Sequence, residues 1–287
     1  MGTSAGKKAK PKNNQNFNET LTGEDIDKLN NNNNKNPTQA TYTYKDFNDK
    51  NKIKKEKFVS NKDNNIDISI DNNYIIAELD IINVNKDIRI INSYEECLRN
   101  GCPKKEIKKS YMNENEIKEC IIKINDKEVP FNYFFKFDKK GTYTIKYYFK
   151  NYLTKTNCMF YGCENIKKLN LSNFYTKNII NMGGMFFGCS SLTDINLTNF
   201  NSQNVINMNH MFCKCSSLEK LDLSTFNIRN VKYMMSIFFG CTSLTKLNLF
   251  NFDTKNVYNM IWMFYGCSSL KKENIIINDK RILKEFK

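Results

Sequence analysis

A phrase of five residues returns every 26 positions through the second half of the chain. Met159-Phe160-Tyr161-Gly162-Cys163 recurs as Met185-Phe186-Phe187-Gly188-Cys189 and as Met211-Phe212-Cys213-Lys214-Cys215. It recurs again as Ile237-Phe238-Phe239-Gly240-Cys241 and Met263-Phe264-Tyr265-Gly266-Cys267. A fixed period in this range marks units that bury their apolar faces only against their neighbours. Such a stack directs the search for function to an extended outer face and away from a catalytic pocket.

The unit from Asn204 to Phe226 shows how the pattern reads. Val205, Met208, Met211 and Phe212 fall at i, i+3, i+6 and i+7, the spacing of one helix face. Asn204 precedes that run where a helix N-cap would stand, as do Asn178, Asn230 and Asn256. The glycines at 162, 188, 240 and 266 suit the left-handed residue that ends a helix, and Lys214 replaces the third. Leu221 and Leu223 then alternate with polar residues, as a short strand with one buried face requires. The expected fold class is therefore α/β: a right-handed solenoid with a parallel sheet on one side and helices on the other. Phe174, Phe200, Phe226 and Phe252 form a recurrent aromatic column inside it.

The consensus M-F-x-G-C-S-S-L-x-x-L-x-L-S-x-F-x-T-x-N-V-x-x-M over about residues 157–270 resembles the 26-residue bacterial-surface-protein repeat. That family is a BspA-like branch of the leucine-rich repeats, and the chain looks like a protozoan-type member. The resemblance implies a leucine-rich repeat solenoid and a role in protein–protein interaction or adhesion, with no catalytic residues.

Three regions follow from composition. Residues 1–72 are rich in Asn, Lys and Asp, including the run Asn30 to Asn34, and read as a disordered tail. A short charged helix or docking motif fits Tyr44 to Phe58. Residues 73–156 read as a small β-rich, sandwich-like domain that caps the first end of the solenoid. Its strands are expected at Tyr74 to Ile81, Ile88 to Ile91 and Cys120 to Ile124, with a short helix at Tyr94 to Arg99. A charged loop with Cys102 and Pro103 follows that helix. The clearest element is a hairpin of Tyr133 to Phe137 and Thr142 to Phe149 around Asp138–Gly141. Residues 157–287 form the solenoid, with a C-terminal cap from about 271.

The net charge of +14 is diffuse, and only Lys7, Lys8, Lys10 and Lys12 make a dense run, which argues against nucleic acid. Gly2 followed by small residues and lysines is near a myristoylation pattern, although position 6 is Gly. Two readings stand there: a disordered basic tail, or a lipid chain with Lys7–Lys12 as a peripheral membrane contact. No apolar run reaches the length of a bilayer span and no secretory signal precedes the chain, so the expected location is cytoplasmic. The ten cysteines read as reduced structural thiols, since five of them hold one place in successive units. No C-x-x-C pair supports zinc, and His210 is the only histidine, placed on an exposed helix face. No nucleophile–His–acid set and no phosphate loop is present, so no enzyme, metal or cofactor is expected.

By alternation, the outward sheet positions are Lys168, Asn170 and Ser172, then Asp194, Asn196 and Thr198. Lys220, Asp222 and Ser224 follow, then Lys246, Asn248 and Phe250. The central column of Asn, Asn, Asp and Asn suits hydrogen bonding to a polypeptide, or else simply solvates an exposed sheet. Phe250 and Trp262 break the polar pattern, as contact anchors or as residues packed beneath the cap. The expected function is a non-catalytic module that binds a protein partner on this face, with a membrane-associated or cell-surface adhesin as the alternative.

Overall fold

The computed structural model describes residues 72–100 and 108–286. The tail through residue 71, with Gly2, Lys7–Lys12 and the Tyr44 to Phe58 segment, lies outside them. So does the loop holding Cys102 and Pro103.

Strand β1 (Tyr74–Ile81) is followed by β2 (Asp87–Arg89), helix α1 (Tyr94–Arg99) and helix α2 (Glu114–Lys118). Next come β3 (Ile121–Ile124), β4 (Lys127–Val129), β5 (Phe134–Lys136) and β6 (Gly141–Tyr148). The repeats contribute β7 (Ile166–Asn170), β8 (Asp194–Asn196), β9 (Lys220–Asp222), β10 (Lys246–Leu249) and β11 (Ile275–Ile277). A six-stranded mixed sheet runs β4-β3-β6-β1-β7-β8, a parallel sheet joins β11-β10-β9, and β2 pairs with β5 alone.

β1 is the strand that unites the molecule. Its residues alternate between buried and half-buried, with Ile75, Ala77, Leu79 and Ile81 in the core. It pairs antiparallel with β6 on one side and with β7, the first repeat strand, on the other. The region before the repeats and the first two repeats therefore share one sheet. The expected hairpin is corrected here: Phe134–Lys136 pairs with Asp87–Arg89, while Gly141–Tyr148 inserts between β1 and β3. Burial of Ile145 and Tyr147 between two partner strands outweighs the local turn signal. The turn at Asn125 and Asp126 does close a hairpin, β3–β4, with both residues at positive φ (47° and 63°).

The expected solenoid of parallel sheet plus helices is not what the repeats form. Among the described residues both α-helices precede the repeats, and the fold is β-rich, built of small sheets joined by turns. The leucine-rich repeat assignment falls with the helices. The physical reason lies in the backbone hydrogen bonds, which alternate along the phrase. Met159, Tyr161 and Cys163 donate three residues back, to Thr156, Cys158 and Phe160. The residues between them, Cys158, Phe160 and Gly162, donate instead to Gly183, Met185 and Phe187 in the next unit. A helix needs every N–H for its own i−4 carbonyl. Here half of them are spent between units.

Two left-handed residues per unit enforce the path. Cys158, Gly184, His210, Ser236 and Trp262 occupy one such column, with φ between 54° and 61°. Gly162, Gly188, Lys214, Gly240 and Gly266 occupy the other, with φ between 59° and 77°. Only glycine adopts that region without penalty, so Lys214 carries local strain. The asparagines expected as N-caps have no helix to cap. Asn204, Asn230 and Asn256 donate their side-chain amides to the carbonyls of Lys177, Gln203 and Arg229 in the preceding unit, at 2.7 to 2.8 Å.

The core follows the same period. Phe160, Phe186, Phe212, Phe238 and Phe264 stack with centroids 5.3 to 6.1 Å apart. Beside them Cys189, Cys215, Cys241 and Cys267 donate their thiols to the carbonyls of Phe160, Phe186, Phe212 and Phe238, at 3.0 to 3.2 Å. A thiol at this position is small enough for the interior and still satisfies a carbonyl there, which alanine could not. Among the described residues, eight cysteines are free and buried. Cys97 on α1 is disulfide-bonded, so the reading of uniformly reduced thiols fails at that residue.

Candidate functional site

The outward residues of the repeat strands do share a face, in two halves. Lys168, Asn170, Asp194 and Asn196 belong to the six-stranded sheet, and Lys220, Asp222, Lys246 and Asn248 to the parallel sheet. Between β8 and β9 the strand pairing lapses, although the turns on either side stay joined. A shallow depression of about 370 Å³ lies beside this gap, lined by Asn199, Phe200, Asn201, Ser202, Gln203, Thr225 and Asn227.

The central column has a structural task that the alternation pattern does not reveal. The Oδ1 atoms of Asn170, Asn196, Asp222 and Asn248 accept the backbone N–H two residues on, from Ser172, Thr198, Ser224 and Phe250, at 2.8 to 3.1 Å. Each closes an Asx turn that ends its strand. The sequence signal was present as Asn-x-Ser, Asn-x-Thr and Asp-x-Ser. Asn248 also donates to the Asp222 carboxylate at 3.1 Å. Burial raises the Asp222 pKa, but the hydrogen bonds from Ser224 and Asn248 outweigh it and hold the carboxyl below its ordinary value.

Charge on the face is uneven. Lys168 is taken up by Glu78 on β1 at 2.9 Å, and the neighbouring Lys167 pairs with Asp80 at 2.6 Å. Lys220 and Lys246 are exposed at the start of their strands. Phe250 projects just past β10 and is 49% exposed, and Trp262 is partly buried in a left-handed turn. The sequence reading missed Ile276, which pairs beside Asn248 and extends the face with a second exposed apolar side chain.

His210 does not lie on an exposed helix face. It sits in the left-handed column, partly buried, with its ring edge-on to Phe187. Burial pushes its pKa down to about 4, so the imidazole is neutral at pH 7. The unfolded chain binds this proton near pH 6.5 and the folded chain does not until about pH 4, so stability falls as pH drops through that window. Urea titrations from pH 6.5 to 4 are expected to show a loss on the order of 2 kcal/mol that His210→Asn removes. Asparagine tolerates the same left-handed backbone. An equal loss in the variant would show that other groups govern the slope.

Burial likewise raises the thiols, Cys158 and Cys213 to about 12 and Cys267 to about 11, so they stay protonated at neutral pH. Among the described residues no group of three or more His, Cys, Asp or Glu could hold a metal ion. No helix among them is long and apolar enough to cross a membrane.

Residues 154–277 match a family model described as Mycoplasma protein of unknown function, DUF285. The matched segment covers the repeats and less than half of the chain, and its description carries no activity. No curated protein and no solved structure matches the chain.

Proposed function

We propose that the chain is a non-catalytic cytoplasmic binding module that takes a polypeptide partner on the outward strand face. The supporting observation is the fixing of the side-chain amides. With Oδ1 of Asn170 and Asn196 tied into Asx turns, each amide is held in one orientation, and no partner for either Nδ2 is found among the described residues. Donors held in place in the free protein lose little entropy when they engage a peptide carbonyl. Lys220, Lys246 and Phe250 flank them with charge and apolar area.

Proximity labelling with the full chain and with an Asn196→Arg/Asp222→Arg variant tests this. Loss of a defined set of partners is the expected result, and an unchanged set would overturn it. The disulfide at Cys97 favours the second reading, a membrane-associated or cell-surface protein, since disulfides persist in oxidising compartments. Differential alkylation of the protein taken from its cells decides between them, because a free Cys97 thiol would remove that support.

A further inference from the structure

The fifth copy of the phrase presents to its outer side the edge that every earlier copy presents to a successor. At the junction of the fourth and fifth units, Met234, Ser236, Phe238 and Gly240 donate to Asn259, Ile261, Met263 and Tyr265. The corresponding donors of the fifth unit are Met260, Trp262, Phe264 and Gly266, and none of these N–H groups has a partner among the described residues. Phe264 is only 6% exposed, and an unpaired N–H there is costly.

The side chains around this edge change character in the same unit. Tyr258, Ile261 and Tyr265 are 64%, 47% and 57% exposed. Their counterparts one unit earlier are Lys232, Met235 and Phe239, all of them partly buried. Phe286 covers the Phe264 ring, with centroids 5.6 Å apart, and leaves these three uncovered.

We infer that this edge is a docking site for an extended polypeptide segment of a partner protein, which presents main-chain carbonyls at alternate residues and apolar side chains between them. The inference continues an interface that the chain already makes between each of its successive units. Strand-like addition to an unpaired edge draws its affinity from such main-chain bonds. A second copy fits poorly. Its own fifth unit offers donors against donors. The facing carbonyls of its first unit are occupied, since Met159 accepts from the Asn92 N–H and Tyr161 and Asn157 from the amides of Asn92 and Asn113.

The probe is a synthetic peptide of residues 178–203, one whole repeat, added to the full chain and followed by amide exchange. In the chain alone, the amides of Trp262, Phe264 and Gly266 should exchange fast while those of His210, Phe212 and Lys214 are protected. With the peptide, the first three should slow by about tenfold or more. Ile261→Lys/Tyr265→Lys should weaken peptide binding by about tenfold, with the circular dichroism and Tm retained. Asn196→Arg/Asp222→Arg should leave it unchanged, which separates this edge from the strand face. Absence of slowing at those amides would overturn the inference. So would their protection in a dimer of the chain alone, or loss of peptide binding in the strand-face variant.

Discussion

Phe212→Ala is expected to destabilise the protein by about 3–5 kcal/mol, and Phe264→Ala by clearly less. Phe212 is fully buried and stacks on Phe186 at 5.3 Å and on Phe238 at 6.1 Å. Its carbonyl accepts the Cys241 thiol and its N–H donates to Ile237, so the residue is bound into the next unit as well as its own. Truncation removes two ring contacts and leaves a cavity between units that cannot close without shifting both backbones. Phe264 stands at the edge, with Phe238 on one side and the tilted Phe286 on the other. A gap there can be filled by movement of the C-terminal segment. Because units are stabilised by their neighbours, loss in the third unit uncouples both flanks. Chemical denaturation of the two variants checks the difference. Equal losses would mean that the stack unfolds without regard to position.

The 26-residue period made the buried columns legible: every Met, Phe and Cys of the phrase from Met159 to Cys267 that was assigned inward is buried, or nearly so. The path of the backbone was not. Burial at Val205, Met208, Met211 and Phe212 satisfies a helix, and it equally satisfies a run of turns that alternate local and inter-unit hydrogen bonds. The decisive feature is the pair of left-handed positions four residues apart. One of these holds Cys158, Gly184, His210, Ser236 and Trp262, residue types with no shared composition to announce it. The misjudged pairing of Phe134–Lys136 has a similar origin, because a strong local turn signal competes with partners some fifty residues distant. On the strand face, alternation supplied the expected outward residues. It could not show the gap between β8 and β9, nor that Asn170 and its equivalents spend one oxygen on their own turns.

Asn92→Ala should cost about 2–4 kcal/mol, a large effect for a residue in so asparagine-rich a chain. The first repeat unit has outward carbonyls and no earlier unit to pair with them. Asn92 supplies that pairing. Its N–H reaches the Met159 carbonyl at 2.7 Å, and its Nδ2 reaches the Tyr161 carbonyl at 2.8 Å. Its Oδ1 accepts the Ser93 N–H at 2.8 Å, which fixes the amide in the donating orientation and places Ser93 to cap α1. Asn92 is 1% exposed, so water cannot replace the lost donor without opening the sheet. Alanine keeps the backbone bond and deletes both side-chain bonds, leaving the Tyr161 carbonyl and the Ser93 N–H unsatisfied together. Asn92→Asp retains the acceptor for Ser93 but turns an anionic oxygen toward the Tyr161 carbonyl, and should be worse than alanine. The order Asn, Ala, Asp in midpoint of urea unfolding is the expected result. An aspartate variant as stable as the wild type would show that the Tyr161 carbonyl does not depend on this donor, and that the start of the stack is held by the β1–β7 pairing alone.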